Sequence, residues 1–144
     1  MPEVHLAVGV SVLLLNLAAG SLGGYMWWRD RPSIPFWYLL RAAQVSVFCQ
    51  VLLGGLLIVT GHEAADNLHY LYGLLPLPVS LLAEAVRAGA AQQELGDTEF
   101  ETLPRERQRP IALAIVRREM GVMAVSCLVI FFLALRAAGT SSAF

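Results

Sequence analysis

Four long apolar stretches alternate with polar segments along this 144-residue chain. The hydrocarbon core of a bilayer is about 30 Å thick and a helix rises 1.5 Å per residue, so about 20 apolar residues cross it. Each stretch reaches that length. The pattern therefore predicts an all-α integral membrane protein, a four-helix bundle that forms a single transmembrane domain over residues 1–144. The predicted spans are residues 5–28, 36–61, 68–87 and 117–136.

Residues typical of a membrane interface or of a helix break mark these spans. Trp28 and Arg29 close the first span, and aromatic and cationic side chains prefer the headgroup region. Pro76 and Pro78 interrupt the third span, where we expect a broken helix. The polar stretch 89–109 is predicted to be a partly helical loop on the cytoplasmic membrane surface.

The composition excludes several classes of protein. Hydrophobic residues make up 57% of the chain and charged residues 15%, whereas a soluble domain has about 25% charged residues. The chain is too apolar for an ordinary soluble domain or a disordered protein. A formal net charge of −1 also excludes a nucleic-acid-binding protein with a uniformly basic face. We expect the lipid bilayer as a partner, together with other membrane subunits or a second copy in a homodimer.

The arginines are distributed unevenly between the two faces of the predicted bundle. Basic residues concentrate on the cytoplasmic side of membrane proteins. In a four-span arrangement nine of the ten arginines fall on one side, and only Arg136 falls on the other. We expect the arginine-rich side to be cytoplasmic and both termini to lie outside, in a bacterial plasma membrane. The nine are Arg29, Arg31, Arg41, Arg87, Arg105, Arg107, Arg109, Arg117 and Arg118.

The three histidines, His5, His62 and His69, fall on the side opposite those arginines. A neutral imidazole nitrogen can bind haem iron or another metal, and the core of a helical bundle commonly holds such ligands. Below His5 and His69, the residues that share one helical face are mostly small. Small faces permit either close helix packing or a cavity for a flat ligand. The faces are Gly9, Val12, Asn16, Ala19 and Gly23 below His5, and Gly73, Pro76, Ser80, Ala83 and Arg87 below His69.

Two kinds of site fit these histidines. The first is a haem b site with His69 and His5 as axial ligands and Arg136 beside a propionate. The second is a copper or zinc site built from His69, His5 and His62, although no two histidines have the i, i+4 spacing of helical metal motifs. The carboxylates available to complete the second site are Glu63 and Asp66.

The second span and the start of the third resemble a known family. The run QVLLGG at residues 50–55 leads to VTG at 59–61, and a short loop then leads to His69. This resembles one four-helix half of the haem A synthases, where a Gln-x-x-Leu-Gly helix ends in Val-x-Thr-Gly and the next helix opens with a haem-ligating histidine. The resemblance, over residues 41–69, implies that His69 is the second ligand of such a half and that His5 stands for the first. One bundle in place of two makes haem binding, rather than the synthase reaction, the implied property.

Polar side chains also lie inside the predicted spans near the arginine-rich side. Charged groups within spans pair with one another or face a cavity. We expect Glu84 and Glu119 to neutralise nearby arginines, with Arg41 and either Arg117 or Arg118 as their partners. A structural clamp on helix register is the first interpretation of this inner polar cluster, and a proton path or quinone site is the alternative. Its members are Arg41, Gln44, Glu84, Arg87 and Glu119.

Three further positions near the middle of the spans have expected roles. Gln50 is expected to hydrogen-bond to a neighbouring helix, with Asn16 as one candidate partner. Cys49 and Cys127 lie where hydrocarbon disfavours thiolate chemistry, so we expect them to behave as small apolar residues.

Two functions are open at this point. In the first, the chain is a small membrane protein that binds haem b near its outer face for electron transfer or haem handling. In the second, it is a cofactor-free accessory or assembly subunit of a membrane complex. The sequence has neither a P-loop nor a glycine-rich dinucleotide-binding motif, so we expect binding rather than catalysis.

Overall fold

The computed structural model describes residues 2–62, 64, 66–96 and 99–140. These residues form helices and short connections, with no strand among them. Four helical segments are long and apolar enough to cross a membrane, which confirms the predicted all-helical membrane architecture. The helices are α1 (Pro2–Trp28), α2 (Ile34–Val59), α3 (Asn67–Leu74), α4 (Pro76–Ala88), α5 (Ala90–Leu95) and α6 (Arg105–Gly139), with a short 3-10 turn at Phe100–Thr102.

The third span is divided into α3 and α4 at Leu75. Pro76 and Pro78 have no backbone N–H, so each removes one helical hydrogen bond. The backbone nevertheless stays helical, because Leu75 has φ −54° and ψ −33° and its carbonyl accepts the Val79 N–H at 3.2 Å. The prolines therefore interrupt the hydrogen bonding while α3 and α4 continue as one candidate membrane crossing.

The last helix, α6, is longer than a membrane crossing requires. Its 35 residues correspond to roughly 50 Å at 1.5 Å per residue, whereas the hydrocarbon core is about 30 Å thick. It begins at Arg105, inside the polar stretch 89–109. The Gln108 side-chain amide holds this start in place by donating to the carbonyls of Phe100 and Leu103. Part of the polar stretch is thus a helical extension of the last span.

The packing order of the helices determines which of them face each other. α1 packs along α2 on one side and along α6 on the other. α3 and α4 pack mainly on α6, with a smaller contact between α4 and α2. This order places α1 diagonally opposite α3 and α4. Inward-facing side chains of α1 and α3 therefore meet across the interior of the bundle.

Two buried clusters fill the interior. The larger lies toward the arginine-rich end and includes Phe36 and Met123, which are fully buried. Cys127 is buried in it, and both cysteines are free thiols. The larger cluster consists of Ala19, Phe36, Leu40, Ala83, Met120, Met123, Ala124 and Cys127, and the smaller one, toward the histidines, of Val12, Val47 and Ile130.

Glycines let α1 approach both of its neighbours closely. A Cβ at Gly20 would lie 2.7 Å from the Leu128 side chain, and one at Gly23 would overlap the Phe36 ring and lie 3.0 Å from the Ala124 Cβ. Small residues are a common means of helix contact in membranes, where lipid removes the hydrophobic driving force between helices. At this level the small face of α1 therefore serves helix packing and not a ligand cavity.

Gly23→Ala should destabilise the bundle, because the added methyl group collides with the fully buried Phe36 ring. Overpacking of this kind costs about 1–3 kcal/mol, which is measured as a lower midpoint of thermal unfolding in detergent. Gly24→Ala is the matched control, since a Cβ there meets nothing within 4 Å. Equal midpoints for the two variants would contradict the close contact of α1 with its neighbours.

Candidate functional site

His69 lies in the first turn of α3, and one of its ring nitrogens is held by α6. Asp66 caps α3 by accepting the Leu68 backbone N–H at 2.9 Å. The His69 Nδ1 atom lies 3.0 Å from the Ala137 carbonyl oxygen. A carbonyl oxygen only accepts hydrogen bonds, so Nδ1 carries a proton, and in the neutral imidazole Nε2 then keeps a lone pair. Backbone carbonyls orient metal-binding imidazoles in this way and leave the second nitrogen for the metal.

His5, at the start of α1, is turned toward α2. Its Nε2 atom lies 3.1 Å from the Gln50 amide nitrogen. Its Cε1 atom lies 3.3 Å from the position that a Cβ on Gly54 would occupy, and a Cβ on Gly9 would lie 3.0 Å from the same Gln50 nitrogen. Glycine at both positions therefore makes room for the contact between His5 and Gln50.

The imidazole rings of His5 and His69 come together although their residues lie on different helices. Their centroids are 6.2 Å apart, and the ring planes make an angle of 59°. Two imidazoles on opposite sides of one metal ion have centroids roughly 6 Å apart, because each metal–nitrogen bond is about 2 Å and each ring adds about 1 Å. The centroid separation therefore matches that of a metal-bound pair, while the nitrogens of His5 face α2 and not His69.

The contact between His5 and Gln50 leaves polar atoms unpaired. His5 Nδ1 and Gln50 Oε1 are buried and have no hydrogen-bond partner among the described residues. Exchanging the amide oxygen and nitrogen of Gln50 leaves His5 Nδ1 unpaired all the same. An unpaired buried polar atom costs about 1–3 kcal/mol. The histidine end thus has hydrogen-bonding and ligating capacity that the described residues do not use.

Tyr70 packs against His69, and a cation–aromatic pair lies at the same end of the bundle. The Tyr70 ring is nearly perpendicular to the His69 ring, with centroids 6.4 Å apart, and its hydroxyl accepts the Ala64 N–H at 2.8 Å. Arg136 is exposed, and its guanidinium carbon lies 5.8 Å from the Tyr72 ring centroid. A cationic group is therefore available at the same end of the bundle as the two histidines.

The described residues do not assemble the three-histidine metal site. His62 is exposed, and its Nδ1 atom lies 3.3 Å from the Thr60 hydroxyl. Asp66 serves as the N-cap of α3, and Glu63 lies outside the described residues. In the described ranges, no group of three or more His, Cys, Asp or Glu side chains could hold a metal ion. The histidine pair alone remains as a candidate ligand set.

The expected hydrogen bond from Gln50 to a neighbouring helix is present, but its partner on α1 is His5 and not the candidate Asn16. Asn16 is buried and donates its side-chain amide to the Val12 carbonyl of its own helix at 2.8 Å. Gln50 instead reaches His5, because the antiparallel register of α1 and α2 places Gly9 opposite Gln50. The short connection between the first two spans could have indicated this contact. It determines which residues of the two helices lie at the same depth.

The inner polar cluster lies at the other end of the bundle and joins α2, α4 and α6. The Glu84 carboxylate accepts from the Arg41 guanidinium at 2.5 Å and from the Gln44 amide at 2.7 Å. Its second oxygen pairs with Arg87 at 2.7 Å. Arg87 also reaches Glu119 on α6, with an N–O distance of 3.6 Å. One carboxylate thus connects two helices, and Arg87 extends the connection to a third.

The expected pairing of Glu119 with Arg117 or Arg118 is wrong. Arg117 pairs with Asp30, directly after α1, with an N–O distance of 2.5 Å. Arg118 pairs with Glu94 of α5 at 3.3 Å. Both arginines therefore join α6 to neighbouring segments, and Glu119 takes Arg87 instead. Because each charge of the inner polar cluster has a partner, the geometry favours a structural clamp over a proton path or a quinone site.

No protein-family model, no curated protein and no solved structure matches this chain. The two ends of the bundle differ in how their polar groups are paired. The arginine-rich end holds an ionic cluster whose members satisfy one another. The histidine end holds two imidazoles whose centroids lie 6.2 Å apart and an unpaired buried nitrogen, so it is the candidate ligand site.

Glu84→Gln should destabilise the bundle, because Arg41 and Arg87 would then face a neutral amide. A half-buried charged group that loses its partner costs about 1–3 kcal/mol, measured by thermal unfolding in detergent. The matched control is Glu94→Gln, which removes one ion pair with an exposed arginine and should cost about 0–1 kcal/mol. A Glu84→Gln midpoint no lower than that of the control would count against the clamp.

Proposed function

We propose that this protein binds haem b at the histidine end of the bundle, with His5 and His69 as axial ligands, and takes part in electron transfer or haem handling. The observation that carries the proposal is the approach of the two imidazoles, from diagonally opposite helices, to a centroid distance of 6.2 Å. Ligands on facing helices are the usual means of holding a cofactor inside a helical bundle. The resemblance of residues 41–69 to half of a haem A synthase agrees with this proposal.

His69 is the better prepared of the two proposed ligands. The Ala137 carbonyl determines its tautomer and directs its ring, so Nε2 is available to bind iron. The acceptor belongs to the backbone of α6, and α6 is the helix on which α3 packs. An imidazole that is already oriented loses little freedom when it binds, which favours affinity.

His5 is the proposed second ligand, and glycine leaves space around the pair. Gly73 follows His69 by one helical turn, and a Cβ there would meet nothing within 4 Å. Toward the arginine-rich end, Val12 and Ile130 belong to the smaller buried cluster. Open space thus lies beside Gly73 at the histidine level, while the interior toward the arginine-rich end is occupied by packed side chains.

Arg136 is proposed to pair with a haem propionate. Its exposed guanidinium lies at the histidine end, and guanidinium–carboxylate pairs are strong, directional hydrogen-bonded contacts. When bound, a haem with two histidine ligands supplies one-electron chemistry between ferrous and ferric iron. The residues of the chain would orient the ligands and keep water away from them.

The asymmetry of charge supports a proposed orientation. Nine of ten arginines lie toward one end of the bundle, and such residues favour the cytoplasmic side. We place the histidine end and both termini outside, in a bacterial plasma membrane. Haem at this end would exchange electrons with partners on the outer side.

The proposal predicts the colour of the purified protein. Protein produced in haem-sufficient cells and purified in detergent should show a Soret band and, when reduced, the α-band of a haem with two histidine ligands. His69→Ala and His5→Ala should each abolish the bis-histidine spectrum, because each removes one axial nitrogen. His62→Ala is the matched control and should leave the spectrum unchanged, since His62 is exposed and its Nδ1 atom contacts the Thr60 hydroxyl.

The negative outcome of this measurement is equally informative. A colourless protein that also takes up no added haem would overturn the haem proposal. It would favour the alternative function, a cofactor-free accessory or assembly subunit of a membrane complex. A spectrum that is retained in His69→Ala would overturn the assignment of the ligands.

A further inference from the structure

We infer that Gln50 controls the availability of His5: its amide holds the His5 imidazole against α2, and this contact has to break before the imidazole binds iron. The inference rests on the proposed haem site and concerns its regulation. It assigns a positioning role to a residue on α2, a helix that supplies no proposed ligand.

The orientation of the His5 ring is the first observation. The His5 Nε2 atom lies 3.1 Å from the Gln50 amide nitrogen. Cε1 and Nδ1 lie 3.3 and 4.0 Å from the position of a Cβ on Gly54. The edge of the ring that carries both nitrogens therefore faces α2. His69 lies across the interior from this edge, on α3, so neither nitrogen of His5 is directed at a metal ion shared by the two rings.

The chemistry of the contact prevents Nε2 from binding iron, and Nδ1, on the same edge of the ring, faces α2 and not His69. If the Gln50 amide N–H donates to His5 Nε2, the lone pair of that nitrogen is already used. If the amide is turned over, its oxygen accepts from a protonated Nε2, which again has no free lone pair. In either case Nε2 becomes available only when the ring leaves Gln50.

Space beside the His5 ring allows such a turn. A Cβ at Gly54 would lie 3.3 Å from His5 Cε1, so glycine at this position keeps a side chain away from the ring there. The proposed turn carries the nitrogen-bearing edge of the ring from α2 toward the His69 ring, whose centroid lies 6.2 Å away.

The cost of breaking this contact sets the expected effect on affinity. A hydrogen bond of this kind contributes a factor of about 2–10 to an equilibrium constant. Gln50→Leu removes the contact and should tighten haem binding by that factor. Gln50→Glu gives the imidazole a charged partner in a poorly solvated place and should weaken haem binding by at least as much.

The test is a titration of haem-depleted protein with ferric haem in detergent, for the wild type and both Gln50 variants. Opposite shifts of the dissociation constant are the signature of a residue that competes for His5. A purely structural role of Gln50 would weaken binding in both variants. Nitrogen-15 spectra of the histidine rings, recorded without haem, should show that Gln50→Leu releases the His5 Nε2 hydrogen bond.

A glycine pair on α2 provides a second variant with its own control. Gly54→Ala places a methyl group 3.3 Å from His5 Cε1, which pushes the ring away from α2 and should tighten haem binding as Gln50→Leu does. Gly55→Ala should leave the affinity unchanged, because a Cβ there meets nothing within 4 Å.

The outcomes separate this inference from the proposed function. A wild-type protein that takes up no haem overturns both. A wild-type protein that binds haem through His5 and His69, with an affinity that Gln50→Leu lowers or leaves unchanged, overturns only the role of Gln50. Tighter binding in Gln50→Leu together with weaker binding in Gln50→Glu supports it.

Discussion

Along the contact between α1 and α6, a glycine of one helix stands opposite a large side chain of the other at two levels. Gly20 faces Leu128, and Gly121 faces the Trp27 ring. Without a Cβ at these positions the two helices come close enough for dispersion contacts to hold them, which matters because lipid supplies no hydrophobic driving force between helices. α3 and α4 pack on the same helix, α6. The relative height of the two histidines therefore depends on this contact.

The two ends of the bundle use polar groups in opposite ways. At the arginine-rich end, Glu84 joins α2 to α4 through short hydrogen bonds, and the charges there satisfy one another. At the histidine end, His69 is anchored by one nitrogen, while His5 has a buried nitrogen without a partner among the described residues. The polar groups of the arginine-rich end are paired and hold helices together, whereas the histidine end keeps polar atoms that are free to bind a ligand. Such departures from full pairing are expected at functional sites.

The sequence predicts the contacts that depend only on the depth of two residues in the membrane. Arg41 and Glu84 are both costly inside a span, so their pairing follows from depth alone. The partner of Glu119 does not follow, because it depends on the direction of each side chain around its helix. Arg117 and Arg118 are as near in sequence to Glu119 as any arginine, yet they pair with Asp30 after α1 and with Glu94 of α5. The same limit explains why the partner of Gln50 on α1 is His5 and not Asn16.

Length and polarity along the chain are enough to establish a helical membrane protein with its arginines and its histidines at opposite ends, because a bilayer constrains each span separately. The meeting of the His5 and His69 rings, the proton on His69 Nδ1 and the contact of His5 with Gln50 all require the packed bundle. Each of them depends on helix rotation and register, which arise from contacts between helices that are distant in sequence. Hydrophobicity specifies the depth of a residue, whereas its neighbours at that depth are set by how closely the glycines allow the helices to approach.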